Sequence, residues 1–228
     1  MSSVLLPEVF GRPWLAVVLA LIGVGVSMVL RDIAAAFPVT GVERVVVVTL
    51  ATTVPILAVA VCVPVLTTST GFRRATGLTR PRLRDLGMGV CAGLVVRAIT
   101  ELVSPTMGTA TDSLGRGIVP AMALSLLVAV AVSPFIEELL FRGVLQRALA
   151  DGLHASGAAV AAGVSVAMST AVFVLSHLTT GVMNAGLLVS TISVSVVCGL
   201  LVAMTGRLVG AIIAHAVHNA IGVALLLW

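Results

Sequence analysis

The sequence predicts an all-α, polytopic transmembrane bundle of about seven spans, and three observations lead to it. Hydrophobic residues make up 59% of the chain, charged residues only 10%, and the mean hydropathy is +1.21, far from soluble-domain averages. The apolar residues fall into successive runs of roughly 20 residues or more, the length that crosses a bilayer as a helix. Runs rich in valine and threonine still predict helix, because an open strand in lipid would leave its backbone groups unsatisfied. At about 20 residues per span, 228 residues hold six or seven helices and leave no room for a separate soluble domain. One membrane domain is therefore expected, divided into a two-span region with a basic loop (1–85) and a core (86–228).

The first span is expected from Trp14 to Leu30, with Arg31 and Asp32 marking its end. It reads as retained and not as a signal peptide, because its apolar core is long and charges separate it from Ala34-Ala35-Ala36. The second runs from Val45 to Leu66. Then comes the strongly polar stretch Thr67 to Asp85, with Arg73, Arg74, Arg80, Arg82 and Arg84. By the positive-inside rule this loop is cytoplasmic, and its simplest reading is a solvated loop that fixes orientation, ahead of an anionic-lipid or partner site. The third span, Leu86 to Val103, carries Arg97 and Glu101 four apart, a pair able to neutralise itself on one face. A polar loop from Ser104 to Gly117 precedes a long apolar segment, Ile118 to Ala150, in which Pro134 is expected to kink the helix. The turn 151–157 leads to spans at 158–178, 183–204 and 207–228. Alternation from the basic loop places the amino terminus, Arg142, Arg147 and Arg207 inside, and the carboxyl terminus outside. Cys62, Cys91 and Cys198 are isolated within apolar runs and predict small core residues, neither disulfides nor a metal site.

The chemistry concentrates in Pro134-Phe135-Ile136-Glu137-Glu138-Leu139-Leu140-Phe141-Arg142-Gly143. Each charge at mid-bilayer costs roughly 2.5–3.5 kcal/mol on insertion scales, so two glutamates and an arginine must face protein or trapped water. Glu138 and Arg142 are four apart and can pair; Glu137 lies about 100° round the helix and is left as a chemical carboxylate. At about 1.5 Å per residue Glu137 stands roughly 20 Å and His177 roughly 30 Å from the 151–157 turn, with His215 and Asn219 about 12 and 18 Å in from Arg207, so tilt or a few extra turn residues let all four share one membrane layer. His215 and Asn219 lie on one face, His218 on another, and His154 falls in a turn.

Such a set supports several functions. A carboxylate and an imidazole can polarise water for attack on a peptide carbonyl, and a His/Asn pair one turn apart can donate to the oxyanion. Glu137, His177 and His215 are an alternative zinc set with water as fourth ligand, although the His-Glu-x-x-His motif is absent. No Gly-x-Ser-x-Gly elbow supports a serine nucleophile. A lone membrane histidine is more often an interhelical hydrogen-bonding residue and a Glu/Arg pair a helix clasp. The conjunction carries the functional reading.

Glu-Glu-x-x-x-Arg at 137–142, Phe-x-x-x-His at 173–177 and His-x-x-x-Asn at 215–219 resemble, in order and membrane context, the three signatures of the CPBP family. These are the CAAX-protease and bacteriocin-processing intramembrane endopeptidases, also called the Abi family, and the resemblance spans about Leu86 to Ala220. It implies that Glu137 activates water with His177, that His215 and Asn219 form the oxyanion hole, and that Glu138, Arg142 and Phe173 support the site. It also implies a glutamate mechanism without a cofactor, zinc being the alternative.

The expectation is thus a multi-pass endopeptidase of a bacterial cytoplasmic membrane, acting on a membrane-associated or lipidated protein or peptide. Membrane lipid is its surrounding partner, and no aromatic-basic interleaving points to nucleic acid. The rival readings are a proton-coupled transporter using the same carboxylate and histidines, and a non-catalytic bacteriocin-immunity or scaffold protein.

Overall fold

The computed structural model describes residues 9–105, 120–178 and 184–227, and these form helices with no strand among them. We number them α1 (Pro13–Ala35), α2 (Gly41–Thr67), α3 (Phe72–Thr76), α4 (Leu83–Val103), α5 (Pro120–Gly152), α6 (Ala158–Leu178), α7 (Ala185–Thr205) and α8 (Val209–Leu227). Six are long and apolar enough to cross a membrane, and α8 is a shorter apolar helix. The all-α polytopic bundle expected from composition is the fold observed. Much of its outer surface is large and apolar, including Leu66, Leu102 and Met204, as a lipid-facing surface requires. The expected loop 104–117 lies outside the described residues except at Ser104 and Pro105, as do Met183 and Trp228 at the ends of two expected spans.

Several boundaries differ from expectation. α1 continues to Ala35, so Arg31 and Asp32 lie inside its last turns and do not end it. Alanines at 34–36 favour helix, and the next strong breaker is Pro38, which disfavours helical backbone at Phe37. The stretch 67–85 is not wholly loop: it holds α3, closed by Gly77 at φ +72°, and the first turn of α4. The turn after α5 holds a 3-10 turn at His154–Ser156. Cys198 is buried as expected, but Cys62 and Cys91 are exposed on the outer face of the bundle, because their sides of α2 and α4 meet no neighbouring helix.

One end of the bundle gathers the residues before α1, the α2–α4 connection, the α5–α6 turn and the α7–α8 connection. Asp151 accepts from the N–H groups of Val9 and Phe10, both at 2.8 Å, while Gly11 N–H donates to Thr67 O and Leu208 N–H to Gly77 O. Arg207 joins the same end through a two-armed bond to Asp85, at 2.8 and 2.6 Å. Arg147 also lies there, whereas Arg142 is completely buried deeper in the bundle.

Small residues set the helix spacing. Gly89 and Gly93, one turn apart on α4, face Gly210 and Ala214, one turn apart on α8. A Cβ on either glycine would come within 2.7 or 2.6 Å of the opposing backbone oxygen. Lipid supplies no hydrophobic drive between helices, so this close backbone approach, with its dispersion contacts, is what holds α4 to α8. Further along the same row, Arg97 lies against Gly222 and pairs with Glu101, as expected.

Candidate active site

The helix carrying both glutamates is not a plain α-helix. Two π-helical segments, Val128–Val132 and Phe141–Gln146, bracket the α-helical residues Ser133–Leu140. Pro134 explains the first. In a π turn the partner of a carbonyl lies five residues on; Ser133 N–H bonds Val128 O, but the residue five on from Ala129 is the proline, which has no N–H. Asn219 of α8 meets that carbonyl instead: its side-chain nitrogen donates to Ala129 O at 2.7 Å. A carbonyl only accepts, so the amide orientation is fixed and its second N–H remains for another acceptor. Where the sequence predicts a kink at Pro134, the structure has a π segment just ahead of it, with α8 supplying the missing donor.

Behind Glu137 lies a buried polar network. Glu138 Oε1 meets Arg142 Nη1 at 3.0 Å and His215 Nδ1 at 2.8 Å, with the Glu138 and Arg142 side chains 0% and 1% exposed. Arg142 Nη2 donates to Ser195 Oγ at 2.7 Å, and Ser195 donates onward to Thr170 Oγ1. The guanidinium also lies 4.6 Å from the centre of the Phe173 ring, a cation–π contact. The pairing of Glu138 with Arg142 expected from their spacing is present. Its extension to His215 was not expected, because spacing within one helix says nothing about the helix opposite.

Phe173 is the hub of the aromatic side of the site. Its ring is 1% exposed, 4.4 Å from the His177 imidazole and 6.0 Å from that of His215, and it meets Phe141 edge-on at 5.0 Å. His177 Nδ1 lies 2.8 Å from Phe173 O, so that nitrogen carries a proton and the lone pair of a neutral ring falls on Nε2. His215 Nε2 is 3.8 Å from Glu137 Oε2. The Glu137 side chain is 19% exposed, against 0% for Glu138, and together with His177 and Phe141 it lines a cavity of ≈230 Å³. At about 30 Å³ each, several waters fit there.

Glu137 and His177 thus line one hollow, His215 approaches the Glu137 carboxylate from α8, and Asn219 of α8 bonds the π segment that precedes Glu137. His218 faces elsewhere, toward Ser190 of α7 at 2.8 Å, and His154 lies exposed in the 3-10 turn. Among the described residues, no group of three His, Cys, Asp or Glu side chains is arranged to hold a metal ion.

Sequence reasoning missed the far wall of the cavity, built by α1 and α2. Arg31 and Ser27 of α1 and Thr52 of α2 line it; Ser27 Oγ donates to Thr52 O at 2.7 Å, and Arg31 reaches the carbonyl of Ser176 at 3.3 Å. In the sequence Arg31 reads as a boundary marker, but it lies inside α1. The available signal was a pair of charges followed by helix-forming alanines, with no breaker to stop the helix.

Residues 119–221 match the family model described as "Type II CAAX prenyl endopeptidase Rce1-like". No curated protein and no solved structure matches the chain. The matched stretch contains Glu137, His177, His215 and Asn219, and over it the chain matches the CPBP/CAAX protease family that its three motifs resemble.

Proposed function

We propose that this multi-pass membrane protein is an intramembrane endopeptidase that cleaves a membrane-associated or lipidated polypeptide with water activated by Glu137 and His177. The observation that carries the reading is that Glu137 and His177 line one cavity, with His215 Nε2 3.8 Å from the Glu137 carboxylate. Glu137 takes a proton from a water in the hollow as that water attacks the scissile carbonyl, and His177 orients the water. The proton then passes to the departing amine as the C–N bond breaks, so no other reactant is consumed. Positioned acid–base groups of this kind typically contribute about 10²–10⁴-fold.

The negative charge that forms on the carbonyl oxygen is met by the second N–H of Asn219 and by His215 in its doubly protonated form, whose Nδ1–H is held by Glu138 and whose Nε2–H is left to donate. Glu138 and Arg142 orient His215 from behind, and Phe173 sets the spacing of the two imidazoles. The match of residues 119–221 to a protease family model supports the reaction class. The glutamate mechanism, the roles of individual residues and the lipidated substrate are our reading.

The test is a proteomic comparison of carboxyl-terminal peptides from cells with the wild-type chain and cells with a Glu137→Gln chain. New carboxyl termini on membrane proteins that need intact Glu137 support the proposal. Identical peptide sets, together with proton-coupled flux in proteoliposomes or immunity that survives the substitution, would replace it with a transporter or a non-catalytic protein.

A further inference from the structure

The arginine-rich connection between α2 and α4 folds into a pocket at the end of the bundle remote from Arg31, and the reaction proposed above makes no use of it. The pocket has a volume of ≈440 Å³, and its lining includes Arg73, Arg74, Arg80 and Arg147, Thr79 and Gly77, with no acidic residue. It is a constructed feature. Arg147, only 8% exposed, extends beneath the connection and donates to the carbonyls of Arg74, Ala75 and Gly206. Gly77 is required at φ +72°, because a Cβ there would lie 2.5 Å from Arg147 Nη2 and 2.9 Å from Gly206 O. Arg207 ties down the far side by donating to Arg80 O at 2.7 Å.

Two features point to an anionic ligand. The acids at this end are occupied, Asp85 by Arg207 and Asp151 by the N–H groups of Val9 and Phe10. Arg73, Arg74 and Arg80 are exposed and form no ion pair among the described residues, so their charge faces the opening uncompensated. Inside, the Thr79 hydroxyl and Arg147 Nε are buried polar atoms without a hydrogen-bond partner, and such donors are costly to leave unmet.

The surroundings identify the kind of anion. At this end the outward faces of α1, α2 and α4 carry exposed Trp14, Leu66 and Leu83, so the pocket lies where an apolar belt gives way to polar loop. That is the level of lipid headgroups, and tryptophan is enriched there. Arginine offers a planar fork of N–H donors suited to phosphate oxygens. We infer that this pocket binds the phosphate of an anionic lipid headgroup, seated among Arg73, Arg74, Arg80 and Thr79.

The test uses the full chain in detergent, titrated with short-chain phosphatidylglycerol, short-chain phosphatidylcholine or sodium phosphate while thermal unfolding is followed. Phosphatidylglycerol is expected to raise the melting temperature and to half-saturate at a concentration at least tenfold below phosphatidylcholine. The combined Arg73→Gln, Arg74→Gln, Arg80→Gln variant should weaken that response at least tenfold. Arg44→Gln, at the opposite end, should leave it unchanged. Thr79→Val, nearly isosteric and without the hydroxyl, should weaken it severalfold and serves if the triple variant does not fold. An equal response to both lipids, or a full response in the triple and Thr79→Val variants, overturns the site. A full shift by sodium phosphate at the lipid's concentration overturns the headgroup assignment in favour of free phosphate. The readout does not depend on cleavage, so it stands or falls separately from the protease reading.

Discussion

Glu138 holds His215 by its Nδ1 at 2.8 Å, and the same carboxylate oxygen meets Arg142 at 3.0 Å. The two adjacent glutamates therefore differ in kind: one is sealed into a charge network, the other faces a cavity. Removing one member of a buried ion pair leaves the other uncompensated, typically at about 3–5 kcal/mol. Glu138→Gln should therefore lower the thermal unfolding midpoint markedly, whereas Glu137→Gln should cost less than about 1 kcal/mol. Thermal denaturation of both variants in the same detergent checks this, and equal losses would contradict the division of roles.

The bond from Asn219 to Ala129 O gives a second expectation. Asn219→Ala orphans a carbonyl that Pro134 has already deprived of its backbone partner, a cost of about 1–3 kcal/mol. Hydrogen exchange should rise in residues 128–133 of the variant more than in α7. Unchanged exchange there would mean that the π segment does not depend on α8.

Helix spacing supplies a third. Gly93→Leu pushes a side chain into the backbone oxygen of Ala214 and should prevent α4 from docking on α8, with loss of folded protein on size-exclusion chromatography. Gly25→Ala, where a Cβ would meet nothing within 4 Å, should behave as wild type. A well-folded Gly93→Leu protein would show that the two helices can move apart at little cost.

These predictions follow the boundary between what the sequence reveals and what it does not. The pairing of Glu138 with Arg142, and of Arg97 with Glu101, was legible because the partners are four apart on one helix. Rise per residue left Glu137 and His177 about 10 Å apart in depth, and their sharing of one cavity depends on helix tilt that the count does not carry. His215 meeting Glu138, Asn219 meeting Ala129 and Arg31 closing the cavity were not legible either. Each depends on how one helix is rotated against another, and apolar runs with no polar face to point inward carry little record of that rotation. The π segment could have been suspected from Pro134, but choosing between a kink and a π turn required knowing that Asn219 lies opposite.

A fourth expectation concerns metal. Proteolysis through Glu137 and His177 alone should persist in reconstituted membranes treated with a strong chelator. Loss of cleavage on chelation, restored by added zinc, would assign Glu137, His177 and His215 as ligands instead.

The most direct measurement is cleavage of a membrane-anchored reporter by purified protein in proteoliposomes, comparing wild type with Glu137→Gln and His177→Ala after each variant is shown to keep the wild-type unfolding midpoint within a few degrees. The account predicts that either substitution lowers the rate by at least about 10²-fold. Cleavage at the wild-type rate by a folded Glu137→Gln protein would contradict it.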